Sequence, residues 1–260
     1  MWNDETIVIA PIFIPNEAGW LIQKQSLYSL FKMLGDTKIT VVIGGWCVEG
    51  EVDYCERLFN LVSLRDQKVE MRHFSGNYGK AHVVNTMIEE YGEGYKYIFT
   101  LDSDIRFVET EGNIIKRSYD VAQEIDNFGL LSMNQLENNC QLYDRYTEKK
   151  VVNNEILRWH PGGAGMAGGC LFVSKGAWDD VKGYQRLGVY DSDDGFLMLD
   201  MTAKKYFIAT AATIDVIHPY YDELKEGYNK WKGDVLSHRR DVGKGNYEEK
   251  LADAEKFWNE

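Results

Sequence analysis

Proline is scarce in this chain, 4 of 260 residues, and basic residues are outnumbered, 29 Lys and Arg against 41 Asp and Glu. Few prolines and 44% hydrophobic residues exclude a disordered or collagen-like chain. A formal net charge of −12 repels phosphate backbones, so it disfavours nucleic acid and anionic membranes as general partners. No apolar run reaches the ~18 residues of a membrane-spanning helix. The opening Met1-Trp2-Asn3-Asp4-Glu5 carries acid where a signal peptide carries base, so the expectation is a cytoplasmic protein. The four cysteines (Cys47, Cys55, Cys140 and Cys170) form no CxxC pair and no zinc spacing, which fits small buried hydrophobes of a reducing compartment.

What is present is an alternation of strands and helices. Residues 6–15 are continuously apolar, as in a strand covered on both faces. Leu21, Leu27, Leu30, Phe31 and Leu34 then recur at helical spacing up to Gly35. Residues 39–43 predict a second strand closed by Gly44-Gly45, and residues 52–64 a helix with Leu58, Phe59 and Leu61 inward. A strand at 69–74, a helix at 80–91, a strand at 97–101 and a helix at 114–125 follow. This order predicts an α/β fold with a doubly wound, mostly parallel sheet, whose ligands sit at the carboxyl ends of the strands. Residues 11–17, 44–49, 75–80 and 102–106 then share one crevice. The second half is less regular, with a glycine-rich loop at 162–169, strands at 170–173 and 207–217, and a helix at 195–205 between them. The expected organisation is one domain over 1–219, with a nucleotide-binding half (1–105) and an acceptor half (106–219). A helical tail, 220–260, packs on it.

Asp102-Ser103-Asp104 directly follows the strand at 97–101. Two carboxylates one residue apart at a strand end suit a hard divalent cation, Mn²⁺ or Mg²⁺, which keeps positions open for substrate phosphates. A solvated turn is the alternative. Asp191, Asp193 and Asp194 precede the helix at 195–205, where acids serve either as a cap or as a fixed general base. His218 closes the last apolar strand. Neither a GxSxG elbow nor a P-loop occurs, which excludes the usual hydrolase-triad and P-loop chemistries.

Taken in order, these pieces resemble the GT-A fold (Rossmann-like) nucleotide-sugar glycosyltransferases, most closely family 2, over roughly residues 6–218. The resemblance rests on five elements. These are residues 10–17; Gly76-Asn77-Tyr78-Gly79-Lys80-Ala81 with Asn85; the DxD of Asp102-Ser103-Asp104; the strand after Gly168-Gly169; and Asp193-Asp194-Gly195-Phe196-Leu197. It implies metal ligation by Asp102, Asp104 and His218. Pro11, Ile12, Glu17, Lys80, Asp102 and Ser103 would line the nucleotide-sugar site. Gly163, Ala164, Gly165, Gly168 and Gly169 would face donor sugar and acceptor. Asp194, with Asp193 as the lesser candidate, would be the general base of an inverting transfer to an acceptor hydroxyl. Where the family places an acid after the second strand, this chain has Gly44-Gly45-Trp46-Cys47, leaving Trp46 to stack on the base. The absence of QxxRW argues against a processive synthase.

Two other readings are a sugar nucleotidyltransferase and a catalytically inactive nucleotide-sugar or glycan-binding module. The first needs a basic, glycine-rich loop after the first strand, which residues 11–17 lack; the second has no use for Asp194. The acceptor classes left open include glycan, protein and a hydroxymethylated DNA base. Lys230, Trp231, Lys232, His238, Arg239 and Arg240 form either an exposed helix face or a tail that closes over the donor.

Overall fold

The computed structural model describes residues 1–47, 53–63, 67–136, 146–163, 166–185 and 193–219. The expected tail, Ala164, Gly165 and the side chain of Asp193 lie outside the described residues. After a short helix α1 (Trp2–Glu5), the first half runs β1 (Thr6–Ile14), α2 (Glu17–Leu34), β2 (Thr40–Cys47), α3 (Tyr54–Val62), β3 (Lys68–His73), α4 (Gly79–Tyr91) and β4 (Tyr97–Leu101). The second half runs β5 (Arg106–Phe107), α5 (Ile114–Gln123), β6 (Phe128–Leu136), β7 (Glu148–Val152), β8 (Glu155–Trp159), β9 (Cys170–Ser174), α6 (Lys175–Val181), α7 (Asp193–Ala203) and β10 (Phe207–Ile217).

All these strands join one sheet in the order β3-β2-β1-β4-β9-β6-β10-β8-β7, with β5 on β10. Strands β3, β2, β1 and β4 are parallel, as is β6 to β10, while β9 runs antiparallel to both β4 and β6. Successive side chains of a strand face opposite ways. In β1, Val8, Ala10, Ile12 and Ile14 enter one core layer with α2, α3 and α5, whereas Ile7 and Ile9 enter another with α4, α6 and α7. Every residue of β1 is buried. Helices on both faces explain why its sequence is an unbroken apolar run.

Several expectations are corrected. Gly44 and Gly45 do not close β2, which continues to Cys47. A Cβ on Gly45 would strike the Ile12 carbonyl and one on Gly44 the Met87 sulfur, so these glycines serve close approach, not a turn. Phe59 points to solvent; Tyr54, Leu58 and Val62 form the buried face of α3. Helix α1, strands β5, β6, β7 and β8 and helix α6 add to the elements that the sequence predicts.

Candidate active site

Three features of the topology converge on the carboxyl end of β4. First, β4 pairs with antiparallel β9 as far as Leu101↔Cys170, so the start of β9 lies beside the end of β4. The Asp102 amide donates to the Gly169 carbonyl at 2.6 Å, and the Ile105 amide closes the turn on the Asp102 carbonyl at 3.1 Å. Second, that turn leads into β5, whose Arg106 and Phe107 pair with Ile217 and Val216. The pairing carries His218, the next residue, to the acidic turn. Third, α4 and α7 lie on the same face of the sheet, and each begins here.

His218 Nε2 stands 3.3 Å from Oδ1 of Asp104, a carboxylate only 7% exposed. Its Nδ1 lies 3.0 Å from Oε1 of Gln135 on β6, and its amide donates to the Leu136 carbonyl at 3.2 Å. Gln135 therefore orients the ring and directs Nε2 to the acids, as second partners of metal-binding histidines do. Asp102, Asp104 and His218 each present one ligand atom within 4.8 Å of the others. Two carboxylate oxygens and an imidazole nitrogen fit Mn²⁺ or Mg²⁺, and leave coordination positions for phosphate oxygens and water.

Lys80, near the start of α4, reaches across this site. Its Nζ lies 2.7 Å from Oδ1 of Asp102, 2.8 Å from Oδ1 of Asp194 and 3.3 Å from the Gly168 carbonyl. A cation at a helix amino terminus opposes the helix dipole. Two carboxylates and a carbonyl offset that penalty. Burial works against the Lys80 charge, but Asp102 and Asp194 outweigh it and hold the ammonium well above its ordinary range. Burial pushes the Asp102 carboxyl up, with Lys80 acting in the opposite direction and Asp194 and Asp104 reinforcing the rise. The face of the Tyr184 ring lies 5.3 Å from Nζ. Asn85 holds Tyr184 through both backbone groups, at 2.9 and 3.1 Å.

The glycine-rich segment runs along α7. A Cβ on Gly168 would strike the Asp194 carboxylate at one end of the helix, and one on Gly163 would strike Thr202 near the other. The eight helical steps from Asp194 to Thr202 span ~12 Å. Gly168 and Gly169 therefore border the acids, whereas Gly163 packs on the far end of α7 and not on the site.

Of the residues expected to act, the structure brings together Lys80, Asp102, Asp104, Gly168, Gly169, Asp194 and His218. Ser103 sits half-buried in the acidic turn. Pro11 and Ile12 are buried in β1, in register with Gly44 and Gly45. Trp46 is stacked on Phe13 with ring centroids 5.0 Å apart. Glu17 is engaged by Arg57 at 3.0 Å and by the Tyr54 hydroxyl at 3.3 Å. Gln135 and Tyr184 were missed. The Gln135 strand was not recognised, and neither residue type signals a site by itself.

No family model and no curated protein matches the sequence. Solved structures do match the fold. The S. aureus TarS fragment 1-349 in complex with UDP-GlcNAc superposes with a TM-score of 0.61 at 11% identity, covering 84% of this chain and 59% of that one. The same fragment in complex with UDP gives 0.57 at 12%, covering 85% and 62%. GalNAc-T7 with UDP, GalNAc and Mn²⁺ gives 0.59 at 12%, covering 85% and 45%. The chain thus spans under two thirds of the length of each. The shared architecture is the GT-A fold. Among the described residues, no helix is long and apolar enough to cross a membrane.

Proposed function

We propose that this chain is a divalent-cation-dependent glycosyltransferase that moves a sugar from a nucleoside-diphosphate donor to an acceptor hydroxyl with inversion. The observation that carries this reading is the convergence of Asp102, Asp104 and His218 on one point, with Asp194 one lysine away. The ligands of the matched structures, UDP-GlcNAc on TarS and UDP with Mn²⁺ on GalNAc-T7, support the donor and metal classes.

Asp102, Asp104 and His218 would hold the cation, which when bound neutralises charge on the departing diphosphate. Asp194 accepts the acceptor's hydroxyl proton as the oxygen bonds to the anomeric carbon and the bond to the diphosphate breaks. The electron pair leaves with the nucleoside diphosphate. Lys80 keeps the Asp194 carboxylate in place and separates it from Asp102. Gly168, lacking a side chain, leaves the space that the Asp194 carboxylate fills. In this reading the half before residue 106 supplies the donor site and the rest supplies the acceptor side.

The test is sugar-donor turnover, with Mn²⁺, by wild type and Asp194→Asn. A general base is worth about 10²–10⁴-fold, so turnover should fall by that factor while donor binding persists. Equal turnover in both proteins removes Asp194 as the base, and absence of turnover with every donor favours the inactive binding module.

A further inference from the structure

Strand β10 does not run straight to His218. After an earlier shift between Phe207 and Ile208, it pairs with β6 in one register from Ile208↔Leu130 to Ala211↔Met133 and in another from Asp215↔Asn134, so at this second shift four steps along β10 match one along β6. Ala212, Thr213 and Ile214 form the resulting bulge. Because side chains alternate along a strand, an insertion decides which way every later residue points. Beyond this bulge come Val216 and Ile217, paired to β5, and then His218.

The bulge is held by side chains from outside its own strand. Arg117 on α5 donates from Nη2 to the Thr213 carbonyl at 2.7 Å. The Thr213 hydroxyl donates to Oε2 of Glu155 at 2.6 Å and accepts from the Ile156 amide at 3.0 Å. Glu155, 6% exposed, receives Nε and Nη2 of Arg117 at 2.7 and 2.8 Å. Nη1 of Arg117 donates to the Glu111 carbonyl at 3.0 Å and to its carboxylate, which also accepts from the Asp215 amide at 3.4 Å. One guanidinium thus grips the bulge at Thr213 and, through Glu111, the first residue after it.

We propose that Arg117 is a positioning residue for the metal site: its grip on the β10 bulge sets the register that aims His218 at Asp104, five residues or roughly 16 Å further along the strand. This rests on the reading of His218 as a metal ligand. Arg117 itself touches none of the three metal-site residues.

The test titrates Mn²⁺ alone into the full chain and reads free Mn²⁺ by electron paramagnetic resonance. Wild type, His218→Ala, Arg117→Met, Thr213→Val and Lys116→Met are compared, with circular dichroism on each. Lys116, the neighbour of Arg117, pairs with Asp120 in solvent and should be neutral. Arg117→Met should keep the wild-type spectrum and bind Mn²⁺ about tenfold or more weakly, the size of loss when a metal-binding histidine is no longer held in orientation. Thr213→Val, which exchanges for a methyl the hydroxyl that bonds Glu155 and the Ile156 amide, should weaken binding in the same direction and carries the test if Arg117→Met does not fold. Wild-type affinity in the folded Arg117 or Thr213 variant, with His218→Ala impaired, overturns the positioning role and leaves the ligand intact. Unchanged affinity in His218→Ala overturns the ligand reading and this inference with it.

Discussion

The Lys80 ammonium lies 2.8 Å from Oδ1 of Asp194, and the same nitrogen lies 2.7 Å from Asp102. Two acids from different halves of the chain, one at a strand end and one at a helix start, therefore meet through one ammonium. Lys80→Met leaves both in a largely enclosed site with no cation between them. Removing one partner of such a set costs about 2 kcal/mol of stability, and turnover should drop at least about tenfold. Lys80→Arg should not restore turnover, because a planar fork cannot replace a single nitrogen that meets two carboxylates and a carbonyl. Denaturant unfolding and donor turnover check both; a Lys80→Met protein of full activity contradicts the bridging role.

Gly168→Ala would place a Cβ against the Asp194 carboxylate. Such overpacking typically costs 1–3 kcal/mol. Here it should also displace Asp194, the proposed base, lowering kcat about tenfold or more while Mn²⁺ affinity stays within about twofold. Gly176→Ala is the control, since its Cβ would meet only the Ser174 hydroxyl, at 3.8 Å. Equal kcat in the two variants would show that the carboxylate does not act from this position.

Much of the framework was legible. Strands β4 and β10 begin and end where the apolar runs at 97–101 and 207–217 do, because both are covered by neighbours. The hairpin β7–β8 was invisible for the converse reason. Strand β7 is Glu148-Lys149-Lys150-Val151-Val152 at the sheet edge, with four of its five residues exposed, so only backbone pairing marks it as a strand. Near its end strand β6 carries polar Asn134 and Gln135, which bond Asp215 and His218, so its apolar signal breaks where it meets the candidate site. Arg117 reads in sequence as an ordinary basic residue on a helix. Its contacts with Glu111, Glu155 and Thr213 depend on elements that lie up to 96 residues away. The acidic pair, His218 and Lys80 stood out because each sits at the boundary of a recognisable element.

Metal removal should be reversible. Excess chelator abolishes transfer and Mn²⁺ or Mg²⁺ restores it, while Asp104→Ala and His218→Ala lower the response to added metal. Transfer that proceeds fully in chelator contradicts the roles given to Asp102, Asp104 and His218.

Far from the site, Glu5 governs part of the acid stability. Its carboxylate accepts from Lys96 at 2.7 Å and from the Tyr119 hydroxyl at 2.8 Å. These bonds, Lys96 first, hold the carboxyl below its ordinary 4.5. The unfolded chain therefore takes up this proton at a higher pH than the folded protein does. The stabilisation is full above pH 4.5 and is lost as pH falls through the lower, folded value. Glu5→Gln should lower Tm at neutral pH by a small amount and flatten the decline of Tm below pH 4.5. Parallel Tm curves for the two proteins would contradict this.

The most direct measurement is anomalous diffraction at the manganese edge from crystals soaked with Mn²⁺ and a nucleoside diphosphate. One peak is expected within bonding distance of Asp102, Asp104 and His218, touching the diphosphate oxygens. A bound nucleoside diphosphate with no peak at these three side chains would contradict it.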